Sequence, residues 1–145
     1  MSNKTRLCAL AAGSVLSTLA LVPLTSGQAL AASTVRISSV QFDSPGSDNR
    51  SNSSLNAEWV RIHNYGTQRR TLTGWTLRDT SRHVYRFPSF SLAAGASVRV
   101  HTGRGTNSAT NLYWGSRAYI WNNTGDKATL ENTAGTTMST RSWKP

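Results

Sequence analysis

The side chains of this sequence that could carry chemistry are three histidines, six carboxylates and a large excess of arginine. The histidines are His63, His83 and His101. A hydrolase needs a nucleophile, a base and a group that orients the base, all within mutual reach. Serines abound, but no Gly-x-Ser-x-Gly turn presents one as a nucleophile. His63 and His101 alternate with apolar neighbours, which puts them on outward strand faces. No catalytic residue is assigned, and the chain is not expected to be an enzyme.

Among the carboxylates, Asp43, Asp48 and Glu58 bracket a stretch rich in Ser, Asn and Asp. Oxygen-rich loops can hold Ca²⁺. The spacing fits no EF-hand, Gly46 and Asn49 read as turn residues, and Asp43 and Asp48 suit turn capping. Glu58 shares strand parity with Val60 and Ile62, so it points inward and needs a partner. Arg86 and Arg36 are candidates for that role. No Cys or paired-His pattern suggests zinc. Neither a metal nor a cofactor is expected.

The arginines are the stronger signal. Arg69, Arg70, Arg78, Arg82 and Arg86 fall in one hairpin-like stretch, and Arg99 and Arg104 follow soon after. Sharing a face, they would make a patch for phosphate polymers, salt-sensitive and indifferent to sequence. The polyanion-binding candidates are Arg69, Arg70, Arg78, Arg82, Arg99 and Arg104. The tryptophans are Trp59, Trp75, Trp114, Trp121 and Trp143. Trp59 shares the less apolar face of its strand with Arg61 and His63. Exposed aromatics stack on sugar rings or bases. The plainer reading is that such rings cover a sheet edge.

The N-terminus reads as a secretory signal. Lys4 and Arg6 precede an apolar run from Leu7 to Leu24, and Ala29 and Ala31 are the small residues that a signal peptidase requires. Cleavage is expected after Ala31, giving a signal peptide over 1–31 and one domain over 32–145. An uncleaved anchor is the alternative, but the run is barely long enough and ends near Pro23. No later segment is apolar enough to span a membrane. The only cysteine, Cys8, lies in the signal, so the processed protein is expected to have no disulfide. The formal charge is +10, and +8 without Lys4 and Arg6, which favours anionic partners. The expected location is extracellular, with retention at the cell wall as one option.

These side chains must be positioned by strands, because no three-turn apolar helix pattern occurs after the signal. Val35 and Ile37 alternate, and a parity switch between Ser39 and Val40 suggests a bulge. A polar loop is expected over 43–56, then a strand with Val60 and Ile62 inward. One strand is expected over 71–79, with Trp75 and Leu77 in the core. Further strands are read around Tyr85 and Phe87, over 97–101, around Ala128 and Leu130, and over 136–143. Tyr113 and Trp114 are read as loop. Seven or eight short strands at such intervals predict an all-β sandwich.

The order of motifs then becomes distinctive. It runs Glu58-Trp59-Val60-Arg61-Ile62-His63-Asn64, Leu72-Thr73-Gly74-Trp75-Thr76-Leu77, Tyr85-Arg86-Phe87-Pro88, and Phe90-Ser91-Leu92-Ala93-Ala94-Gly95. Val98-Arg99-Val100, Leu112-Tyr113-Trp114, Trp121-Asn122-Asn123-Thr124-Gly125-Asp126 and Ala128-Thr129-Leu130 complete it. The series resembles the lamin tail domain, in its bacterial secreted single-domain form, from about Val35 to Thr140. The resemblance implies an immunoglobulin-like β-sandwich, with Trp75 and Trp121 in its core. It implies no catalytic constellation to carry over. The lamin rod and nuclear targeting are absent, so no filament role follows. The expected function is a secreted, non-catalytic module that binds an acidic polymer, either wall polymer or DNA. The alternatives are a wall or coat protein acting through protein contacts and, behind it, a small secreted hydrolase.

Overall fold

The computed structural model describes residues 33–144. The expected signal peptide, with its cleavage point after Ala31, lies outside the described residues. Ten strands and one short helix follow one another in the order β1 (Val35–Gln41), α1 (Asn52–Ala57), β2 (Trp59–Asn64), β3 (Arg70–Thr71), β4 (Thr76–Arg78), β5 (Val84–Arg86), β6 (Ser91–Leu92), β7 (Ser97–His101), β8 (Asn111–Tyr113), β9 (Asp126–Glu131) and β10 (Thr137–Trp143).

Two four-stranded sheets form the layers, ordered β1-β2-β7-β8 and β10-β9-β4-β5, and β3 pairs with β6 in a small third sheet. All pairs are antiparallel except β7 and β8. Alternation along each strand explains the layering. Val60, Ile62, Val98, Val100 and Leu112 leave the first sheet inward; Leu77, Tyr85, Ala128 and Leu130 leave the second. Leu72, Phe87, Leu92 and Trp121, from the connections, fill the remaining space. Burying each of the Val, Leu, Ile and Phe side chains stabilises the fold by roughly 1.5–3 kcal/mol. No cysteine occurs between residues 33 and 144, so packing and hydrogen bonds hold this sandwich together. The fold is all-β and immunoglobulin-like, as the sequence led us to expect.

Local details differ from the sequence reading in physical ways. The polar segment over 43–56 is not all loop. Ser51 caps α1, its Oγ accepting from the Ser54 N–H at 3.1 Å, and Leu55 anchors the helix in the interior. The stretch over 71–79 is two strands, because Gly74 at φ +76° turns the chain between β3 and β4. The bulge in β1 exists but falls between Ile37 and Ser39, one residue earlier than expected. Tyr113 belongs to β8 rather than to a loop. Trp121 is core, at 2 % exposure, and Trp75 packs against it half-buried.

Both flanks of the first sheet are closed by side chains. At β1 the bulge frees backbone groups: the Ile37 N–H donates to Ser139 Oγ on β10 at 3.1 Å, and Arg141 reaches the Ser38 carbonyl at 3.4 Å. At β8 the outward N–H groups of Asn111 and Tyr113 donate to Ser108 Oγ and Asn107 Oδ1, each at 3.1 Å. The preceding loop thus caps the edge that another strand could otherwise extend. Among the described residues no helix is long and apolar enough to cross a membrane.

Candidate polyanion interface

The outer face of the β1-β2-β7-β8 sheet carries three cross-strand rungs. Arg36, His63 and Ser97 form the first; Ser39, Arg61, Arg99 and Asn111 the second; Gln41, Trp59, His101 and Tyr113 the third. Inward Val60, Ile62, Val98 and Val100 dictate this arrangement, because their alternate neighbours must face out.

Cations and rings interleave on the face. The Arg99 guanidinium lies 4.8 Å from the centre of the Trp59 ring, and that of Arg36 lies 4.6 Å from the Tyr65 ring. His63 meets the same Tyr65 edge-on at 4.3 Å, and His101 stacks on Tyr113 at 5.1 Å. Hydrogen bonds fix the imidazoles. His101 Nδ1 donates to the Asn56 carbonyl at 2.7 Å, its Nε2 meets the Asn111 side-chain amide at 2.8 Å, and His63 Nδ1 pairs with Ser97 Oγ at 2.7 Å.

No carboxylate stands on this face. Asp79, Asp126 and Glu131 belong to the second sheet and its turns, Asp43 and Asp48 to the loop before α1. Glu58 is fully buried. Among the described residues the ion pairs are Arg78 with Glu131 and His83 with Asp79, so none involves Arg36, Arg61 or Arg99. Arg61 and Arg99 stand directly opposite each other. Like charges so placed repel, by roughly 0.2–1 kcal/mol, unless an anion lies between them.

The six arginines singled out in the sequence do not share one face. Arg99 alone lies on the outer face just described. Arg69 and Arg70 sit at the small β3–β6 sheet. Arg78 is tied to Glu131 on the second sheet, and Arg82 occupies the β4–β5 turn at φ +73°. The Arg104 backbone is held by Asn52 and Asn56 of α1. Sequence proximity gathered them; strand parity separates them. Arg36 and Arg61, which parity assigns to the face, were not among the candidates.

Glu58 finds no arginine, contrary to expectation. Its Oε1 accepts from the Ile120 N–H, the Trp121 N–H and the Thr102 hydroxyl at 2.8–2.9 Å, and Oε2 has no partner among the described residues. Arg36 faces outward over Tyr65, and Arg86 donates to the Gly74 carbonyl. Burial raises the Glu58 pKa to about 7 despite these donors, and the nearby Asp48 adds to the rise. Asp43 instead accepts from Asn123, and among the described residues no group of three or more His, Cys, Asp or Glu converges as a cation site.

His83 has a partner that the sequence did not suggest. Its Nδ1 pairs with Asp79 Oδ2 at 2.6 Å, while Asp79 Oδ1 accepts the backbone N–H groups of Ser81 and His83. This arrangement orders the β4–β5 turn. Asp126 does similar work for the neighbouring loop. Its burial opposes ionisation, but bonds from Thr80, Lys127 and Asn122 outweigh that and hold its pKa below the ordinary value.

The family model for the lamin tail domain matches residues 28–145. The chain belongs to the lamin tail domain family. Lamin tail domains are immunoglobulin-like modules, which agrees with the two packed sheets described above. No curated protein matches the chain. In this lamin tail domain the motif Glu58–Asn64 is β2 together with Glu58, the residue that ends α1 just before it. Its inward members Glu58, Val60, Ile62 and Asn64 are fully buried, and its outward members Trp59, Arg61 and His63 supply the middle strand of the face.

Proposed function

We propose that this lamin tail domain is an exported, non-catalytic binding module, and that its ligand is an acidic extracellular polymer. The single observation that carries the reading is charge segregation. One sheet face holds Arg36, Arg61 and Arg99 among aromatic rings, while all six acidic residues of the chain lie elsewhere. Such a face attracts polyanions and releases their counterions on contact, giving binding that weakens steeply with salt. Rings beneath the guanidiniums hold them in place, so little side-chain freedom is lost on binding. The apolar run from Leu7 to Leu24, followed by Ala29 and Ala31, supports export with cleavage after Ala31.

The test is retention on immobilised wall polymer and on DNA across a salt series. Retention that fades as salt rises is expected. A wall or coat protein acting through protein contacts would instead ignore salt; Val84, 52 % exposed on β5, is the apolar edge that such a role would use.

A further inference from the structure

An open recess of about 250 Å³ lies on the outer face, lined by Arg61, Ser97, Val98, Arg99, Thr110 and Asn111. We infer that this recess is a subsite for one phosphate group, and that the polymer it serves is a base-free phosphodiester such as a polyol phosphate. The inference rests on the polyanion reading above and narrows it.

The recess is lined by side chains that can donate. Arg61 and Arg99 are partners in the β2–β7 ladder, and both line the recess, Arg99 with its guanidinium held over the neighbouring Trp59 ring. The Thr110 hydroxyl accepts from Asn111 Nδ2, which leaves its own proton to donate. Planar guanidinium forks match the oxygens of a phosphate, and paired forks can satisfy several of them together. Arg36 stands one rung along and one strand over from Arg61 on the same face, about 8 Å away by strand geometry, and offers a contact for the next phosphate of a chain.

The rings point to a ligand without bases. Single-strand nucleic-acid binders offer aromatic faces on which bases stack. Here Arg99 lies over Trp59, Arg36 over Tyr65, and His101 on Tyr113. One side of each ring is taken by a side chain of the protein itself, which leaves less ring surface for bases; Tyr65, 52 % exposed, is the most open of the three and the place where a base would stack.

The experiment titrates purified protein with poly(glycerol phosphate), polygalacturonate and oligothymidylate of matched charge number, at several salt concentrations. Wild type is compared with Arg61→Gln and with Arg61→Gln/Arg99→Gln. The Arg61 side chain makes no hydrogen bond or ion pair among the described residues, so the single variant keeps the fold. Poly(glycerol phosphate) is expected to bind about tenfold more tightly than polygalacturonate, a preference set by the paired forks. Arg61→Gln should remove most of that preference and lower the salt slope by about 1. Equal affinity for phosphate and carboxylate chains, or an Arg61→Gln variant that keeps the preference, overturns the phosphate subsite and leaves the wider interface standing. Tighter binding of oligothymidylate than of poly(glycerol phosphate) overturns the base-free ligand. Binding of none of the three overturns the interface and the recess together.

Discussion

The carboxylate of Glu58 accepts a hydrogen bond from the backbone N–H of Trp121 at 2.8 Å, joining the start of β2 to the loop before β9. The same oxygen takes the Ile120 N–H and the Thr102 hydroxyl, so one buried group organises three segments. The cost is a carboxyl held away from water, with Oε2 left unpartnered among the described residues.

A pH dependence of stability follows. The Glu58 pKa is raised from 4.5 to about 7 in the folded state. The folded protein therefore holds this proton more tightly than the unfolded chain. The stabilisation is complete below about pH 4.5 and is lost as pH rises through about 7. The change is on the order of 3 kcal/mol. Asp126, with its lowered pKa, acts in the opposite sense, but only as pH falls into the ordinary aspartate range. Urea unfolding at pH 5 and pH 8 should show the decline in wild type and a smaller one in Glu58→Gln. An equal decline in both would remove Glu58 as its source.

Asn64 makes a second prediction. It is fully buried at the end of β2; its Nδ2 donates toward the carbonyls of Gln68, Leu92 and Ala93, and its Oδ1 accepts from the Gly66 N–H. Asn64→Ala leaves those backbone groups without partners and should cost about 2–3 kcal/mol. Thermal unfolding measures it, and a melting temperature within a degree of wild type would contradict the account.

The capped β8 edge makes a third. Asn107→Ala with Ser108→Ala uncovers the N–H groups of Tyr113 and Asn111. The double variant should stay folded but self-associate as its concentration rises, because an open edge recruits another strand. Light scattering over a dilution series reads this. A monomeric variant at every concentration would show that the cap is dispensable.

Much of this fold is legible in the sequence because strand parity is. Val60, Ile62, Val98 and Val100 announce their own burial, and with it the outward set Trp59, Arg61, His63 and Arg99. The inward Glu58 is equally plain, but its partners are not. Two of the three are backbone N–H groups 62 and 63 residues away, and backbone donors leave no mark on composition. The arginine face was missed for the converse reason. Arg36, Arg61 and Arg99 are far apart in sequence and meet only through the β1-β2-β7 pairing, whereas Arg69 and Arg70 are adjacent and conspicuous. α1 is a single capped turn that buries one leucine, too short to set up a periodic signal.

The central claim is that the outer face of the β1-β2-β7-β8 sheet, and not the small β3–β6 sheet, holds an acidic polymer. Two charge-reversed proteins test it against wild type by retention on immobilised polyanion at rising salt: Arg36→Glu/Arg61→Glu and Arg69→Glu/Arg70→Glu. The first should lose retention about tenfold or more at low salt while keeping the wild-type circular dichroism, and the second should lose far less. Equal retention of wild type and Arg36→Glu/Arg61→Glu would contradict the account.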